Sequence, residues 1–143
     1  MHDKHKIWLP PGGHVELDED PNAAAIREAK EEVGLDVVLL GDAPNLEPNI
    51  PGYKELIPPM RMNIHKISKT HRHISHVYYA LTRTHEVKPS GDDRSDEWHW
   101  FTREELIQEA AGRGSRGVRQ SICFYGLEAL DKAEEFFHCQ QLL

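Results

Sequence analysis

The chain has 143 residues, about the size of one ordinary domain, and 38% of them are hydrophobic and 29% charged. This composition is typical of a globular protein and excludes a disordered or fibrous one. No apolar run approaches the roughly 20 residues that span a bilayer, and the N-terminus lacks the apolar segment of a secretory signal. With two cysteines a disulfide framework is excluded, so we expect one cytoplasmic domain over residues 1–143.

The formal net charge is −7, from 24 acidic residues against 17 lysines and arginines. An acid excess of this size argues against binding to extended nucleic acid, which needs a basic face. A phosphate-bearing small molecule is still compatible with it, because a bound divalent cation reverses the local potential. We therefore expect a small-molecule substrate, and neither a membrane nor a nucleic-acid partner.

The first predicted elements are a short strand and an acidic helix. Residues 6–9 read as a strand that ends at the Pro-Pro-Gly-Gly turn over 10–13. Asp20 is suited to be an N-cap, Pro21 a first helical residue and Gly34 a helix stop, which predicts a helix between them. A strand over 35–40 follows. The remaining predicted elements are, in chain order, a proline-rich loop over 42–59, strands over 60–67 and 73–84, a strand carrying Trp98 and Trp100, and helices over 102–111 and 117–138.

Three carboxylates gather on one side of the first helix. At 100° per residue, Glu28, Glu31 and Glu32 fall within roughly a 100° arc. The neighbouring sector is apolar and can face a core; it holds Ala25, Ile26, Ala29 and Val33. Like charges at this spacing cost a few tenths of a kcal/mol per pair, which Mg²⁺ or Mn²⁺ would remove. Taken alone, the cluster is equally compatible with a solvated acidic face.

The same glutamates belong to a longer pattern. Seven residues stand at defined spacing over 23 positions, with apolar Ala29 and Leu35 among them: Gly13, Glu19, Arg27, Glu28, Glu31, Glu32 and Gly34. This pattern resembles the signature of the Nudix hydrolases, and residues 8–16 resemble the segment that usually precedes it. The resemblance implies an α+β fold, a Nudix-type α/β/α sandwich with a mixed central sheet.

The resemblance also implies an activity and roles for its residues. Members of the family cleave a nucleoside diphosphate linked to another group, by attack of water on phosphorus. The residues that match the family's Mg²⁺ or Mn²⁺ ligands are the Gly12 carbonyl, Glu28, Glu31 and Glu32. Arg27 matches the residue that pairs with Glu19 and so holds the glycine-rich loop in place. The general base is Glu31, Glu28 or an acid beyond the signature, since the family varies.

The acids beyond the signature that are candidates for this role are Glu86, Asp92, Asp93, Asp96 and Glu97. Each taken singly is otherwise a solvated loop charge. Glu97 is the favoured one, because it directly precedes the predicted strand with Trp98 and Trp100. Those two tryptophans lie on one side of that strand, where a core role is more common than stacking on a base.

Histidines and arginines supply weaker signals. His71 and His73 share one face of a strand and His76 points the other way, which disfavours a zinc site made of the three. Some Nudix proteins with a similar glycine-rich segment carry histidine-rich strands here that face substrate. The turn over 112–117 contains Arg113 and Arg116, which either meet phosphate or belong to a flexible surface link, the second being favoured.

The chain begins only seven residues before Trp8, whereas family domains normally have one or more strands before this point. We therefore expect either that the N-terminal strands are absent or that the sequence starts late relative to the natural gene product, and their loss would leave an unpaired strand edge. Pairing of that edge with a second copy would give a homodimer. Two other functions stay open: a non-catalytic nucleotide-binding sensor with this fold, and an acidic protein-interaction domain that needs no metal.

Overall fold

The computed structural model describes residues 7–89 and 97–140. Its elements are, in chain order, α1 (Pro21–Val33), β1 (Val37–Leu39), β2 (Arg61–Lys66), β3 (Arg72–Val77), β4 (Ala80–Thr82), α2 (Arg103–Ala110) and α3 (Gln120–Gln140). Helices and antiparallel strands share the chain, so the predicted α+β class is confirmed. No helix in the described ranges is long and apolar enough to cross a membrane.

The strands form two antiparallel ribbons. β1 pairs with β4, with Val38 opposite Leu81, and β2 pairs with β3, with Ile64 opposite Ile74. A mixed sheet would combine parallel and antiparallel strand pairs in one sheet. The described residues instead form two separate sheets, each of two antiparallel strands.

The single strand predicted over 73–84 is divided into β3 and β4. The division has a hydrogen-bonding cause. The Val77 carbonyl accepts from the Met60 amide beside β2 at 2.9 Å, whereas the Tyr79 carbonyl accepts from the Leu40 amide beside β1 at 2.7 Å. The chain therefore leaves one ribbon and joins the other across residues 78–79, so its two halves serve different sheets.

Small and aliphatic side chains, with one tyrosine, form the core of the described residues. Its buried members are Ala24, Ala29, Leu35, Leu39, Leu40, Tyr79, Leu106, Val118 and Cys123. α2 and α3 approach closely at Gly126, where a Cβ atom would lie 2.9 Å from a methyl group of Leu106. The predicted core sector of α1 is only partly buried, because Ile26 is 42% exposed while Ala29 is buried.

Two predicted strands are not formed in the described residues. Residues 97–101 have no regular structure, and Trp98 and Trp100 are 50% and 41% exposed, so the predicted core role for this pair is wrong. The Trp100 indole instead donates to the His85 carbonyl at 3.0 Å, which holds the segment against another loop. Of the predicted strand over 6–9, only Ile7 bridges to another segment, because the prolines that follow have no amide hydrogen to donate; Lys6 lies outside the described residues.

Candidate active site

The ends of α1 are defined by the residues that the sequence indicated. The Asp20 carboxylate accepts from the amides of Asn22 and Ala23, both at 2.9 Å, and Pro21 is the first helical residue. Gly34 adopts a left-handed conformation with φ 72°, and its amide donates to the Lys30 carbonyl at 2.9 Å. These caps satisfy backbone groups that a free helix end leaves unpaired. They fix the first and last residues of α1 and therefore the positions of its acidic side chains.

Asn22 ties α1 to the proline-rich loop. Its buried amide group donates to the Ile57 carbonyl at 2.9 Å and accepts from the Ile57 amide at 2.8 Å. Lys54 of the same loop forms an ion pair with Asp20 at 2.9 Å, and the ammonium lowers the pKa of that carboxyl. The loop over 42–59 is therefore anchored to the helix start.

Arg27 is the centre of the site. Its guanidinium donates to both oxygens of Glu19, at 2.9 and 3.1 Å, which confirms the predicted ion pair. It also donates to Glu28 at 3.0 Å, to Glu31 at 2.9 Å and to the His14 carbonyl at 3.1 Å. The bidentate hydrogen bond from Arg27, supported by the Glu16 amide, lowers the pKa of Glu19. One cation therefore joins the loop to two acids of α1.

The glycine-rich loop lies directly against the acidic side of α1. The Gly12 amide donates to a Glu32 carboxylate oxygen at 2.9 Å. A Cβ atom at Gly13 would lie 2.1 Å from a Glu28 carboxylate oxygen, a distance that real contacts do not show. A larger residue at position 13 would therefore displace the Glu28 carboxylate from its present place beside the loop.

The three glutamates of α1 accept hydrogen bonds from two different donors. Arg27 holds Glu28 and Glu31, and the Gly12 amide holds Glu32. Among the described residues no three acidic, histidine or cysteine side chains form a group ready to hold a metal ion. The Glu28 side chain is 12% exposed and the Glu31 side chain 46%, so Glu31 is the more accessible to water.

An open cleft of about 600 Å³ runs beside this network. Its polar wall includes Glu19, Arg27 and Glu31, and its apolar wall includes Ile26 and Leu35. The exposed Ile26 is therefore a lining residue of the cleft. A ligand in the cleft would contact Arg27 and Glu31 directly.

The acids proposed from beyond the signature are spread over two segments. Glu86 is exposed and forms an ion pair with Lys88 at 2.7 Å. Glu97 is exposed immediately before Trp98. Asp92, Asp93 and Asp96 lie outside the described residues. The role of Glu97 stays a prediction.

A histidine cluster adjoins the loop and was not foreseen as a group. The His73 ring lies 4.7 Å from that of His71, 5.0 Å from that of His14 and 5.6 Å from that of His65, between ring centroids. Partial burial and the three neighbouring rings lower the pKa of His73. The close His71–His73 contact agrees with the shared face predicted for them. The contact with His14 depends on tertiary structure, which the sequence pattern does not reveal.

The arginine-containing turn after α2 is anchored by a buried acid. The Glu109 carboxylate accepts from the Arg116 amide at 2.8 Å and the Val118 amide at 3.0 Å, and these amides lower its pKa. The Arg116 guanidinium lies 5.5 Å from the centre of the Trp8 ring. Glu109 therefore anchors the end of this turn at two amides, while residues 112–117 lie on the surface, and the interpretation of the turn as a flexible link stays a prediction.

Comparisons with known proteins agree on one family. The NUDIX domain model matches residues 2–121. The crystal structure of a NUDIX family hydrolase from Clostridium perfringens is similar to this chain with a TM-score of 0.76 and 36% identity, covering 91% of this chain and 84% of the other.

Two curated relatives share shorter segments, and both are named m7GpppN-mRNA hydrolase NUDT17. The Danio rerio protein is 34% identical over 84 residues, which cover 55% of this chain, and the Xenopus laevis protein is 59% identical over 29 residues, which cover 20%. These segments span 25% and 10% of the two relatives, so only a minor part of each is matched. Because the domain match spans most of the sequence and includes the Arg27 network, this chain belongs to the Nudix hydrolase family.

Proposed function

We propose that the chain is a pyrophosphohydrolase that cleaves the phosphoanhydride of a nucleoside diphosphate linked to another group. The observation that carries the proposal is the Arg27 network, in which one guanidinium binds Glu19 of the loop and Glu28 and Glu31 of α1. A scaffold of this kind holds the loop backbone beside acidic oxygens, where a metal ion and a phosphate chain need to meet.

The donor chemistry of these residues suits Mg²⁺ or Mn²⁺, although in this structure Arg27 and the Gly12 amide engage the carboxylates and no described group is arranged around an ion. Such ions prefer oxygen donors, and Glu28, Glu31, Glu32 and the Gly12 carbonyl would hold the ion. Two observations support this donor set: the Gly12 amide is 2.9 Å from Glu32, and the space of a Cβ atom at Gly13 is filled by the Glu28 carboxylate. When bound, the ion supplies charge neutralisation and Lewis-acid polarisation of a phosphoryl oxygen.

The protein's own groups position water and accept its proton. In the reaction, the water oxygen forms a bond to phosphorus, the bridging phosphorus–oxygen bond breaks, and a carboxylate takes the proton. Glu31 is the base we favour, because its side chain is half exposed and lines the cleft. Glu28 and Glu97 are the alternatives. Arg27 is a positioning residue that holds the loop through Glu19.

A hydrolysis panel tests the proposal. It contains sugar nucleotides, dinucleoside polyphosphates, nucleoside triphosphates and non-nucleotide diphosphates, each with Mg²⁺ or Mn²⁺ and each repeated with chelator. A capped dinucleotide belongs in it, because the curated relatives are named m7GpppN-mRNA hydrolases. We expect metal-dependent product release from at least one class. Metal binding with no product from any class would overturn the proposal.

The alternative is a non-catalytic sensor with the same fold. It shares the metal and nucleotide contacts and differs only in lacking turnover. Thermal stabilisation by a nucleotide without product formation would favour the sensor. Steady product release at substoichiometric enzyme would exclude it.

A further inference from the structure

Four histidine rings meet where the glycine-rich loop contacts the β2–β3 ribbon. The His73 ring of β3 is at their centre. Its centroid lies 4.7 Å from that of His71, 5.0 Å from that of His14 and 5.6 Å from that of His65. Two imidazole nitrogens that bind one Zn²⁺ ion at about 2.0–2.1 Å place their ring centres about 5 Å apart. The spacing of these rings is therefore similar to that of two histidines on a common ion.

His65 and His73 are the pair best placed to share an ion. They stand directly opposite each other in the register of β2 and β3, so a shared ion would join the two strands. Because side chains alternate along a strand, Lys66 and Arg72 project from the other face of the ribbon, away from this pair. Within residues 7–89 and 97–140 no three ligand side chains converge on one point. Two ring nitrogens would therefore hold the ion, and water would complete its coordination.

The orientation of the His65 ring is set by a neighbouring amide. The Asn63 side-chain amide donates to the Tyr125 hydroxyl at 3.3 Å, and the Asn63 carbonyl oxygen lies 3.2 Å from Nδ1 of His65. A carbonyl oxygen only accepts, so Nδ1 of His65 carries the proton and donates. The lone pair is therefore on Nε2, the nitrogen that can bind a metal ion. Histidines that bind metals are commonly held by such a hydrogen bond from the other ring nitrogen.

The His73 ring is in the protonation state that binds metal. Desolvation and the three neighbouring histidine rings lower the pKa of His73, so this ring is neutral at neutral pH. Neutral imidazole suits Zn²⁺, Ni²⁺ and Cu²⁺, whereas Mg²⁺ prefers oxygen ligands. The histidine pair and the acidic side of α1 therefore differ in the class of ion that suits them.

We propose that His65 and His73 bind a divalent transition-metal ion, with Zn²⁺ as the probe, and that this ion joins β2 to β3. The site is separate from the proposed Mg²⁺ or Mn²⁺ centre and does not depend on hydrolysis. A two-stranded ribbon is marginal by itself. Hydrogen bonds from Arg61 to Glu128 hold the end of the ribbon that is remote from the turn. An ion at His65 and His73 would hold the end next to the turn and would stabilise the folded chain.

Calorimetric titration with Zn²⁺, in excess Mg²⁺, tests the site with two single variants, His65→Gln and His73→Gln. The His65 side chain is exposed, so its variant is expected to fold. The matched control is His76→Gln, which removes a histidine of the same strand β3 from the exposed face of the ribbon. We expect the native chain and the control to bind Zn²⁺ equally. The affinity should fall at least about tenfold in each of the two single variants.

Thermal unfolding gives a second readout. Zn²⁺ should raise the Tm of the native chain and of His76→Gln but not that of His65→Gln, because a ligand stabilises only the folded state that binds it. Equal Zn²⁺ affinity in the native chain, His65→Gln and His73→Gln would overturn the inference.

One further variant separates this inference from the proposed function. Glu32→Gln removes an acid of the proposed Mg²⁺ or Mn²⁺ centre and should bind Zn²⁺ like the native chain. Loss of Zn²⁺ in Glu32→Gln alone would assign the ion to the acidic side of α1 and refute the histidine site, while leaving the proposed function intact. Loss in the His65 and His73 variants alone, with no hydrolysis of any substrate by the native chain, would support the histidine site and refute the proposed function.

Discussion

The acidic side of α1 and the end of the β2–β3 ribbon differ in how their charges are compensated. On α1, Arg27 makes ion pairs with two acids of the helix and one of the loop, so its charges are compensated within the protein. At the end of the β2–β3 ribbon, Lys66 and Arg72 stand opposite each other, and no acid among the described residues pairs with them. Internal compensation holds a site in position before ligand arrives. The uncompensated side chains of the ribbon, Lys66 and Arg72, are exposed to solvent.

The two regions also differ in how they are fixed. α1 has a capped start, a glycine stop and the buried Asn22 clasp to the proline-rich loop. The β2–β3 ribbon is anchored to α3 on its inner side, where Arg61 and Tyr79 hydrogen-bond to Glu128 and the Asn63 amide donates to the Tyr125 hydroxyl at 3.3 Å. A two-stranded ribbon is marginal by itself, so this anchor is needed to hold it. We expect changes at α1 to affect catalysis and folding, and changes on the exposed face of the ribbon to affect neither.

The largest effect is expected from Glu32→Gln. Glutamine keeps an acceptor for the Gly12 amide but loses the negative charge that a divalent ion needs, so kcat should fall by at least about 100-fold. The free energy of unfolding should change by less than about 0.5 kcal/mol. Steady-state kinetics and urea unfolding measure the two quantities. The matched control is His76→Gln on the exposed face of the ribbon, where turnover should be unchanged; equal loss in both variants would contradict the distinction between the regions.

A change at the end of α1 tests how firmly that region is fixed. Gly34→Ala places a side chain at φ 72° and a Cβ atom 1.9 Å from the Lys88 carbonyl oxygen, so unfolding free energy should fall by about 1–3 kcal/mol. Gly52→Ala is the control, because its φ is 78° but no atom lies within 4 Å. Gly52→Ala should lower the free energy of unfolding by about 1 kcal/mol. Identical urea midpoints for the two variants would show that the close approach at Gly34 is unimportant.

Arg27→Lys separates charge from geometry. Lysine keeps the cation but cannot form the bidentate contact with Glu19 while also reaching Glu28 and Glu31. We expect kcat/KM to fall about tenfold, less than for Glu32→Gln, because the residue acts through others. Mn²⁺ affinity should weaken in parallel. A variant with native kinetics and native Mn²⁺ affinity would mean that the loop does not depend on this network.

The smallest effect concerns the ribbon's anchor. Hydrogen bonds from Arg61 and Tyr79 lower the pKa of Glu128 from 4.5 to about 2. Its contribution to stability is therefore fully present above pH 4.5 and is lost as pH falls through about 2. Glu128→Gln should lower the Tm at neutral pH, and the gap to the native chain should close between these pH values. A gap that is constant with pH would exclude the carboxylate as its cause.

Local sequence signals were sufficient for the best-predicted parts. Asp20, Pro21 and Gly34 act on backbone groups within a few residues, so the limits of α1 followed directly from them. The Arg27–Glu19 ion pair followed from the family signature. The division of the strand over 73–84 did not follow, because it depends on which distant amide meets the Val77 and Tyr79 carbonyls.

The remaining differences have the same origin in long-range contact. Trp98 and Trp100 have side chains that favour strands. The indole N–H of Trp100 instead donates to the His85 carbonyl, and the segment pairs with no sheet in the described residues. The contact between His14 and His73 could not be predicted from the sequence, because the two residues are distant along the chain and meet only in the folded structure. A count of charges along the chain shows that residues 56–85 contain no acid, but it does not indicate that contact.

The central claim is that the acidic side of α1 and the glycine-rich loop form a metal centre. Electron paramagnetic resonance of Mn²⁺ tests it directly, by titrating the ion into the native chain, Glu32→Gln and His76→Gln. We predict that the native chain and His76→Gln bind Mn²⁺ with equal affinity and that Glu32→Gln binds it at least about tenfold more weakly. Equal Mn²⁺ binding by all three proteins would contradict the account.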